Sequence, residues 1–314
     1  MLDLRNKPIF LVLILAGLGL IVSFSFWFLE EGRTKSSQAS NPYEKMLTPR
    51  GKVRRIICVA PSVTEIVFAL GYGKKVIGVS DFSTYPPQAK EKVSIGGMFN
   101  PNRERIIALQ PDLVIIQGQH DSVAKFCRKQ GIRLLSVEID RLKDIPAAIF
   151  SLGQELNAES QAAKLAKEVK DGLDAVKAKI QGLPTRKVFL SLAHTPGDLT
   201  GLMTTGPGTF LHELIEIAGG ENIFADASGT YPQISKESLI KRQPEVLIEA
   251  LPGGISDRKL RLLRKDWGRL SILPAVRKGN IHFLTDDFLL IPSVRITQTA
   301  RRFAEIIHPE AFNE

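Results

Sequence analysis

The sequence predicts an α/β protein of two lobes, each built on a central, mainly parallel sheet, with one long helix joining them. Three observations predict this fold. Short apolar runs rich in β-branched residues alternate with helical patterns, as in parallel sheets covered by helices on both faces. One amphipathic pattern of helical period extends over about residues 158–183. Motifs of the first half also recur, in the same order, in the second half.

The composition is that of a folded, globular chain. Of 314 residues, 44% are hydrophobic and 24% are charged, which suits one large domain or two lobes of ordinary size. Lys and Arg number 42 against 33 Asp and Glu, so the net charge is +9. This excess is spread along the chain, without the dense basic block and interleaved aromatic residues of nucleic-acid-binding proteins. The charge favours a basic surface near anionic lipid over a nucleic-acid interface.

The N-terminal segment, residues 1–30, carries a membrane-targeting pattern. An apolar run over residues 8–29 follows Arg5 and Lys7. Its helical length of about 33 Å would cross a bilayer core of ~30 Å, whereas the apolar region of a cleaved signal peptide is shorter, about 7–15 residues. We expect an uncleaved signal anchor in the inner (cytoplasmic) membrane, with a signal peptide cleaved near Ala39 as the alternative. The two basic residues place the rest of the chain on the periplasmic or extracytoplasmic face.

Changes of pattern divide the rest of the chain into four parts. Residues 31–53 are polar and predict a tether. The first lobe covers residues 54–157, the joining helix residues 158–183, and the second lobe residues 184–314. In the joining helix, apolar residues at spacings of three and four form one face, and Pro184 is expected to end the helix.

In the first lobe, a buried strand is predicted at Arg55–Ala60 and a helix at Ser62–Leu70. Ser62 and Glu65 fit the S-x-x-E capping box, and Gly71 fits the end of the helix. Three further strands are predicted at Val76–Ser80, Leu113–Gln117 and Leu134–Glu138.

The second lobe repeats the alternation of strands and helices. Its elements are predicted at Lys187–Ala193, Thr209–Ala218, Glu237–Arg242, Val246–Ala250 and Ile281–Thr285. Three motifs of the first lobe recur here: Asn102–Ile115 as Ser235–Ile248, Glu65–Gly71 as Glu213–Gly219, and Tyr85-Pro86 as Tyr231-Pro232.

The first of these repeats aligns Glu104 with Glu237. Each glutamate is predicted in the first turn of a short helix, just after a capping residue, Asn102 or Ser235. The helix dipole favours a carboxylate at such a position, so capping alone would explain both residues.

Signatures of catalysis are missing from the sequence. It contains no nucleophile elbow, no Walker loop and no glycine-rich dinucleotide fingerprint after a strand. We therefore expect a binding protein and not an enzyme, with no cofactor and no metal site of its own. His120 and His194 follow predicted strands and are candidate ligand contacts, because ligands bind beyond the carboxyl ends of strands in such sheets. Each could equally be an ordinary loop residue.

Cys58 and Cys127 are the only cysteines. We expect two buried free thiols, since Cys58 lies in an apolar strand. A disulfide remains open, because export would permit one.

Several runs together resemble a known family. In the first half these are Ile57–Ile66, Gly78–Pro87 and Glu104–Leu113, and in the second half Gly219–Phe224 and Tyr231–Glu237. They resemble the helical-backbone class of periplasmic solute-binding proteins, the receptors of ABC importers, and most of all its cobalamin-binding members. The resemblance runs from about residue 54 to the end of the chain.

The resemblance implies two lobes that move little around a rigid helix, with the ligand held in the cleft between them. It also implies that Glu104 and Glu237 dock onto arginines of the permease dimer. The ligand would be a corrinoid, cobalamin or cobinamide, gripped by aromatic and apolar side chains. Together with the two histidines, the candidate contacts are Phe82, Tyr85, Tyr231, Asp287, Phe288, Leu289, Leu290 and Ile291.

The sequence departs from the cobalamin-binding pattern at three places. Gly96-Gly97 stands where those receptors carry a tryptophan, Phe82 replaces a tyrosine, and Ala218 takes the place of one cysteine of a disulfide. Haem or a ferric siderophore is therefore an alternative ligand, with Tyr85, Tyr231 or a histidine as contact. A membrane-anchored sensor with the same fold is an alternative of another class.

Overall fold

Two separate sheets organise the computed structural model, which describes residues 52–312. The first sheet has five strands in the order β3-β2-β1-β4-β5, and all their pairings are parallel. Its strands are β1 (Ile56–Cys58), β2 (Val76–Val79), β3 (Val93–Ser94), β4 (Leu113–Gln117) and β5 (Arg133–Val137). The inner strands are continuous apolar runs because helices cover both faces of the sheet.

Four α-helices belong to the first lobe. They are α1 (Pro61–Ala69), α2 (Arg103–Ala108), α3 (Asp121–Lys129) and α4 (Asp144–Leu156). The core lies between this sheet and its helices, where Ile57, Val114 and Ile116 pack against side chains such as Val123 and Cys127.

The joining helix α5 (Glu159–Lys179) ends earlier than predicted. Pro184 does not terminate it, because Ile180 has already left helical geometry and Gly182 adopts a left-handed turn with φ +84°. Apart from this end, the long amphipathic helix lies where its pattern predicts it.

The second sheet follows α5. Its strands are β6 (Arg186–Thr195), β7 (Thr200–Thr204), β8 (Gly220–Asn222), β9 (Val246–Ala250) and β10 (Ile281–Leu284). The order is β10-β9-β6-β7, and β8 pairs with the first residues of β6. Only β7 is antiparallel to its neighbour among these pairings.

The helices of the second lobe are α6 (Phe210–Ile217), α7 (Lys236–Arg242), α8 (Asp257–Gly268), α9 (Pro274–Arg277) and α10 (Ile296–Ile307). Three aromatic side chains mark its core: the ring of Phe189 lies 5.9 Å from Phe224 and 5.9 Å from Trp267, edge-on in both pairs. The predicted α/β fold with two mainly parallel sheets is confirmed.

The predicted capping box of α1 is wrong. The helix begins at Pro61, its N-cap is Ala60, and no side chain caps it. Proline at the first helical position has a preset φ and no N–H to satisfy, so the N-cap lies two residues before the one that the motif predicts. The hydroxyl of Ser62 instead donates to the side chain of Gln117, and the carboxylate of Glu65 binds residues of the second lobe.

Within residues 52–312, no helix is long and apolar enough to cross a bilayer. The predicted anchor at residues 8–29 lies outside the described residues, as does nearly all of the predicted tether.

Candidate functional site

The parallel strands bring several predicted ligand residues to one edge of each sheet. In the first lobe, Phe82 and Tyr85 follow β2, and His120 follows β4. In the second lobe, the segment 285–295 follows β10. Ligands of open α/β sheets bind beyond the carboxyl ends of the strands, so these two edges form the candidate site.

Arg295 ties the two edges together. Its Nε and Nη2 donate to Glu65 Oε2 and Oε1 at 3.0 and 2.5 Å, and its Nη1 donates to Asp287 Oδ1 at 2.7 Å. The side chains of Arg295 and Glu65 are only 6% and 1% exposed. Burial acts to lower the pKa of Arg295, but hydrogen bonds and charges from the two carboxylates outweigh it and hold this pKa above its ordinary value. The guanidinium is therefore a permanent cation between the lobes.

Two of the predicted ligand contacts lie against this guanidinium. Arg295 Cζ is 3.9 Å from the ring centroid of Tyr85 and 5.5 Å from that of Phe288. Tyr85 comes from the first lobe and is 38% exposed, whereas Phe288 comes from the second lobe and is half-buried. Aromatic rings from both lobes thus converge on one cation.

The remainder of the predicted segment is only partly accessible. Asp287 is exposed, and Leu290 and Ile291 are half-buried, but Leu289 is fully buried. A tight turn, in which the N–H of Ile291 donates to the carbonyl of Phe288 at 3.1 Å, accompanies the burial of Leu289 beneath the surface. The structure therefore places Leu289 in the core of the second lobe and not on the candidate site.

A second contact between the lobes involves the loop after β5. Arg141 Nε donates to Glu213 Oε1 at 2.6 Å, and the N–H of Leu142 donates to Oε2 at 2.7 Å. A backbone hydrogen bond of 2.7 Å from Phe210 to the carbonyl of Asp140 lies beside this pair. The side chains of Arg141 and Glu213 are 47% and 17% exposed, so this ion pair is accessible to solvent. The ion pair of Arg295 with Glu65, by contrast, is buried.

Tyr231 lies near this second contact. Burial of the ring and the negative charge of Asp140 raise the pKa of Tyr231, so its phenol is neutral at physiological pH. Partial burial, followed by repulsion from Asp144, raises the pKa of Asp140 in turn. The repeated tyrosines Tyr85 and Tyr231 are thus each found beside one of the two inter-lobe contacts.

The two predicted histidines have different surroundings. His120 is half-buried at the carboxyl end of β4, with its ring 6.1 Å from that of Phe99. Burial lowers the pKa of His120, partly offset by a hydrogen bond with the backbone of Gln117, and this favours a neutral imidazole at the edge of the candidate site.

His194 does not face the candidate site. Its side chain is completely buried, with Nδ1 3.2 Å from Glu249 Oε1 and Nε2 3.8 Å from Asp266 Oδ2. Its ring also lies edge-on to Trp267 at 5.3 Å. β6 shifts in register against β7 after Ser191. His194, near the end of this strand, packs against Trp267 and Asp266 of α8, in the interior of the second lobe. His194 therefore lies in the core of the second lobe and not on the candidate site.

Glu104 and Glu237 occupy matching positions in the two lobes. Each is exposed in the first turn of its helix, α2 or α7. The predicted N-caps are confirmed: Asn102 accepts from the N–H of Arg105 at 2.9 Å, and Ser235 accepts from the N–H of Ser238 at 3.1 Å. Hydrogen bonds with its own backbone and with Ser235 hold the pKa of Glu237 below its usual range.

Sequence reasoning misses the residues that connect the lobes. The capping motif accounts for Glu65 locally, and no motif singles out Arg295, Arg141 or the contact made by Glu213. One signal is present, because the internal repeat aligns Glu65 with Glu213. Both glutamates bind an arginine of the other lobe.

The two cysteines lie away from the site chemistry. Cys58 and Cys127 are free and buried, as expected, and burial raises their pKa values to about 12 and about 11.

Among the described residues, no group of three His, Cys, Asp or Glu side chains is placed to hold a metal ion. A cavity of about 550 Å³ lies between α2 and α3, where Arg103 and Phe126 contribute to its lining, and neither Tyr85 nor Phe288 lines it.

Comparison with known proteins shows which family this chain matches and which individual proteins it is similar to. The family model described as periplasmic binding protein matches residues 56–288. A vitamin B12-binding protein of Vibrio parahaemolyticus is 33% identical over 245 residues, which is 77% of this chain and 85% of the relative. An uncharacterized ABC transporter substrate-binding lipoprotein of Bacillus subtilis is 28% identical, over 85% of this chain and 84% of the relative.

Solved structures resemble the chain over most of its length. The periplasmic vitamin B12 binding protein of Vibrio cholerae matches 84% of this chain and 99% of its own, with a TM-score of 0.69 and 27% identity. A periplasmic heme-binding protein from a Roseiflexus species matches 82% of this chain and 99% of its own, with a TM-score of 0.70 and 26% identity.

Proposed function

Since the chain belongs to the periplasmic binding protein family, we propose that it is the substrate-binding protein of an ABC importer and captures a corrinoid between its two lobes. The family binds solutes for transport and is not a family of enzymes. The chain division expected from sequence remains part of the proposal: lobes at 54–157 and 184–314 around a helix at 158–183.

The observation that carries this proposal is the convergence of Tyr85 and Phe288 on Arg295. The two rings come from different lobes, and both keep exposed surface at the edge where ligands of such sheets bind. A flat, largely apolar macrocycle is suited to aromatic surfaces with few polar groups between them. Phe82, Tyr231, Asp287, Leu290, Ile291 and His120 complete the proposed contacts. Relatives that are named for vitamin B12 point to the same ligand class.

The first prediction is that residues 41–314 bind cyanocobalamin, measured by calorimetry and by the absorbance of the ligand. Phe288→Ala should weaken binding by roughly 1–3 kcal/mol if the ring is an anchor. Phe150→Ala removes an exposed phenylalanine of α4, outside the proposed contacts, and should leave the affinity unchanged.

Haem is the second candidate ligand. Structural neighbours that are named as heme-binding proteins favour it, together with Tyr85 and His120 as donors at the cleft edge. Titration with hemin and with a ferric siderophore beside cyanocobalamin separates the candidates. Tight hemin binding without corrinoid binding would reverse their order, and binding of none of the three would refute the proposal.

We further propose that residues 8–29 anchor the protein in the inner membrane. The length of the apolar run and the two preceding basic residues support this location. The second prediction is that cell fractionation finds the full-length protein in the membrane, retained after a high-salt wash. Recovery of a soluble periplasmic form that begins near Ser40 would show that the segment is cleaved.

Glu104 and Glu237 are proposed to dock the receptor onto a permease dimer. Their exposure and equivalent placement on the two lobes support this role, because a two-fold partner can offer each carboxylate the same basic patch.

A further inference from the structure

The two lobes hold each other through two glutamate–arginine ion pairs that are reciprocal. Glu65 of the first lobe binds Arg295 of the second, and Glu213 of the second lobe binds Arg141 of the first. The two glutamates occupy corresponding places in the internal repeat, on α1 and α6. Each lobe therefore gives one carboxylate and receives one guanidinium.

The two pairs differ in their surroundings. The pair of Glu65 and Arg295 is buried, so losing either partner would leave an uncompensated charge in the interior. Arg141 is 47% exposed, so solvent screens its pair with Glu213. The buried pair of Glu65 and Arg295 therefore holds the two lobes in a fixed position, and the pair of Glu213 and Arg141 contributes a weaker interaction between them.

Aromatic rings from both lobes lie against the cation of the buried pair. Nε, Nη1 and Nη2 of Arg295 are all hydrogen-bonded to carboxylates, which fixes the plane of the guanidinium as well as its position. Cζ lies over the ring of Tyr85, 3.9 Å from its centroid, and Tyr85 nevertheless remains 38% exposed. A planar cation of this kind both stacks on rings and binds carboxylates in a bidentate manner, whereas the ammonium of lysine is a point charge.

We propose that Arg295 is a positioning residue of the ligand cleft, which sets the separation and orientation of Tyr85 and Phe288 through its fixed guanidinium. The role of these rings in holding the ligand rests on the proposed function; the positioning itself does not. Arg295 does not need to touch the ligand, because it acts through the two rings.

A measurement without ligand tests the positioning. Arg295→Lys keeps the positive charge opposite Glu65 but loses the planar, bidentate group. The chain has four tyrosines, so full-length protein labelled with 3-fluorotyrosine in mild detergent gives few fluorine lines, and Tyr85→Phe identifies that of Tyr85. We expect Arg295→Lys to shift and broaden the Tyr85 line. Arg141→Lys is the matched control, the same substitution in the reciprocal pair, and should leave that line in place.

Ligand titration is the second arm of the experiment. The dissociation constant for cyanocobalamin should rise about tenfold in Arg295→Lys, the size of effect that a stacked cation supplies, and less than about twofold in Arg141→Lys. If Arg295→Lys does not fold, Asp287→Asn replaces it. That variant loosens one anchor of the guanidinium and should shift the Tyr85 line in the same direction by less.

The outcomes separate the two proposals. An unchanged Tyr85 line in Arg295→Lys, or equal shifts in both arginine variants, would overturn the positioning role, because lobe contact alone would then explain the pair. If the unmodified protein bound none of cyanocobalamin, hemin and the ferric siderophore, the proposed function would be refuted, while the fluorine spectrum would still decide the role of Arg295.

Discussion

His194 is a buried residue whose environment is polar on two sides and aromatic on a third. Glu249 and Asp266, its two carboxylate neighbours, are each held by another donor as well: Trp267 Nε1 donates to Glu249 at 2.9 Å, and the N–H of Gly197 donates to Asp266 at 2.6 Å. Arg269 adds a charge 3.4 Å from Asp266. Buried charges are tolerated only in such mutual compensation, so this cluster fixes the β6–β7 hairpin to α8.

The third prediction follows at the same residue. His194→Gln removes a fully buried ring that packs edge-on against Trp267, between Glu249 and Asp266. The free energy of unfolding should therefore fall by roughly 1–3 kcal/mol in a denaturant titration. Affinity for cyanocobalamin should not change in calorimetry, because the ring is enclosed in the second lobe.

His120→Gln is the matched control, since it makes the same substitution at a half-buried position on the cleft edge. It should lower the free energy of unfolding by less than His194→Gln does, because the ring of His120 is only half-buried. If His194→Gln left stability intact and reduced ligand affinity, the burial argument would be wrong.

The helix α5 packs closely against two other helices, α4 and α10, and each contact depends on a glycine. An alanine Cβ at Gly153 of α4 would collide with Ala162 Cβ of α5, and one at Gly172 of α5 would lie 2.6 Å from Thr297 Cγ2 of α10. These glycines let α5 pack closely on a helix of the first lobe and on one of the second. The rigidity expected of the joining helix therefore has a physical basis in contacts on both sides.

The fourth prediction is that Gly172→Ala destabilises the protein although it improves helix propensity. Overpacking costs about 1–3 kcal/mol, and the gain of alanine over glycine offsets about 1 kcal/mol of it. The free energy of unfolding should thus fall by up to about 2 kcal/mol in a denaturant titration.

Gly268→Ala in α8 is the control, because no atom outside its own stretch of helix lies within 4 Å of the place that an added Cβ would take. It should be neutral or stabilise the protein by up to about 1 kcal/mol. Equal stabilisation by both substitutions would show that α5 and α10 can move apart freely. Partial recovery in Gly172→Ala with Thr297→Ser would locate the clash at the threonine methyl.

Local pattern predicts the elements that are buried on both faces. β4 and β9 are continuous apolar runs because helices cover both sides of their sheets, and they appear where the pattern predicts them. β3 has two residues and β8 is Gly-Glu-Asn, so neither carries a pattern that sequence can detect. The capping box fails because Pro61 starts the helix earlier, and because Glu65 binds a tertiary partner, Arg295, that lies 230 positions away. The same limit hides the aromatic pair: motifs predict Tyr85 and Phe288 separately, but only the fold shows the cation between them.

At the scale of the whole molecule, the internal repeat contains two pairs of equivalent carboxylates. One pair faces the other lobe, and the other pair faces solvent. Glu65 and Glu213 bind across the lobes, while Glu104 and Glu237 point to solvent. A residue needed only to cap a helix can be replaced by many others, whereas two matching exposed carboxylates suit a partner with two-fold symmetry. The first pair serves the cohesion of the receptor, and we propose that the second serves its contact with the permease.

The fifth prediction is that Glu104→Lys and Glu237→Lys together abolish uptake while the receptor still folds and binds ligand. Each lysine would repel a basic partner surface, so the double variant should lose more uptake than either single one. The measurement is uptake of radiolabelled cyanocobalamin by cells that carry the variant as their only copy, beside the melting temperature and the calorimetric affinity of the purified protein. Glu159→Lys is the control, because Glu159 is also exposed in the first turn of a helix and feels the same dipole, but lies on α5. It should transport normally. Normal uptake by the double variant would leave helix capping as the whole explanation of Glu104 and Glu237.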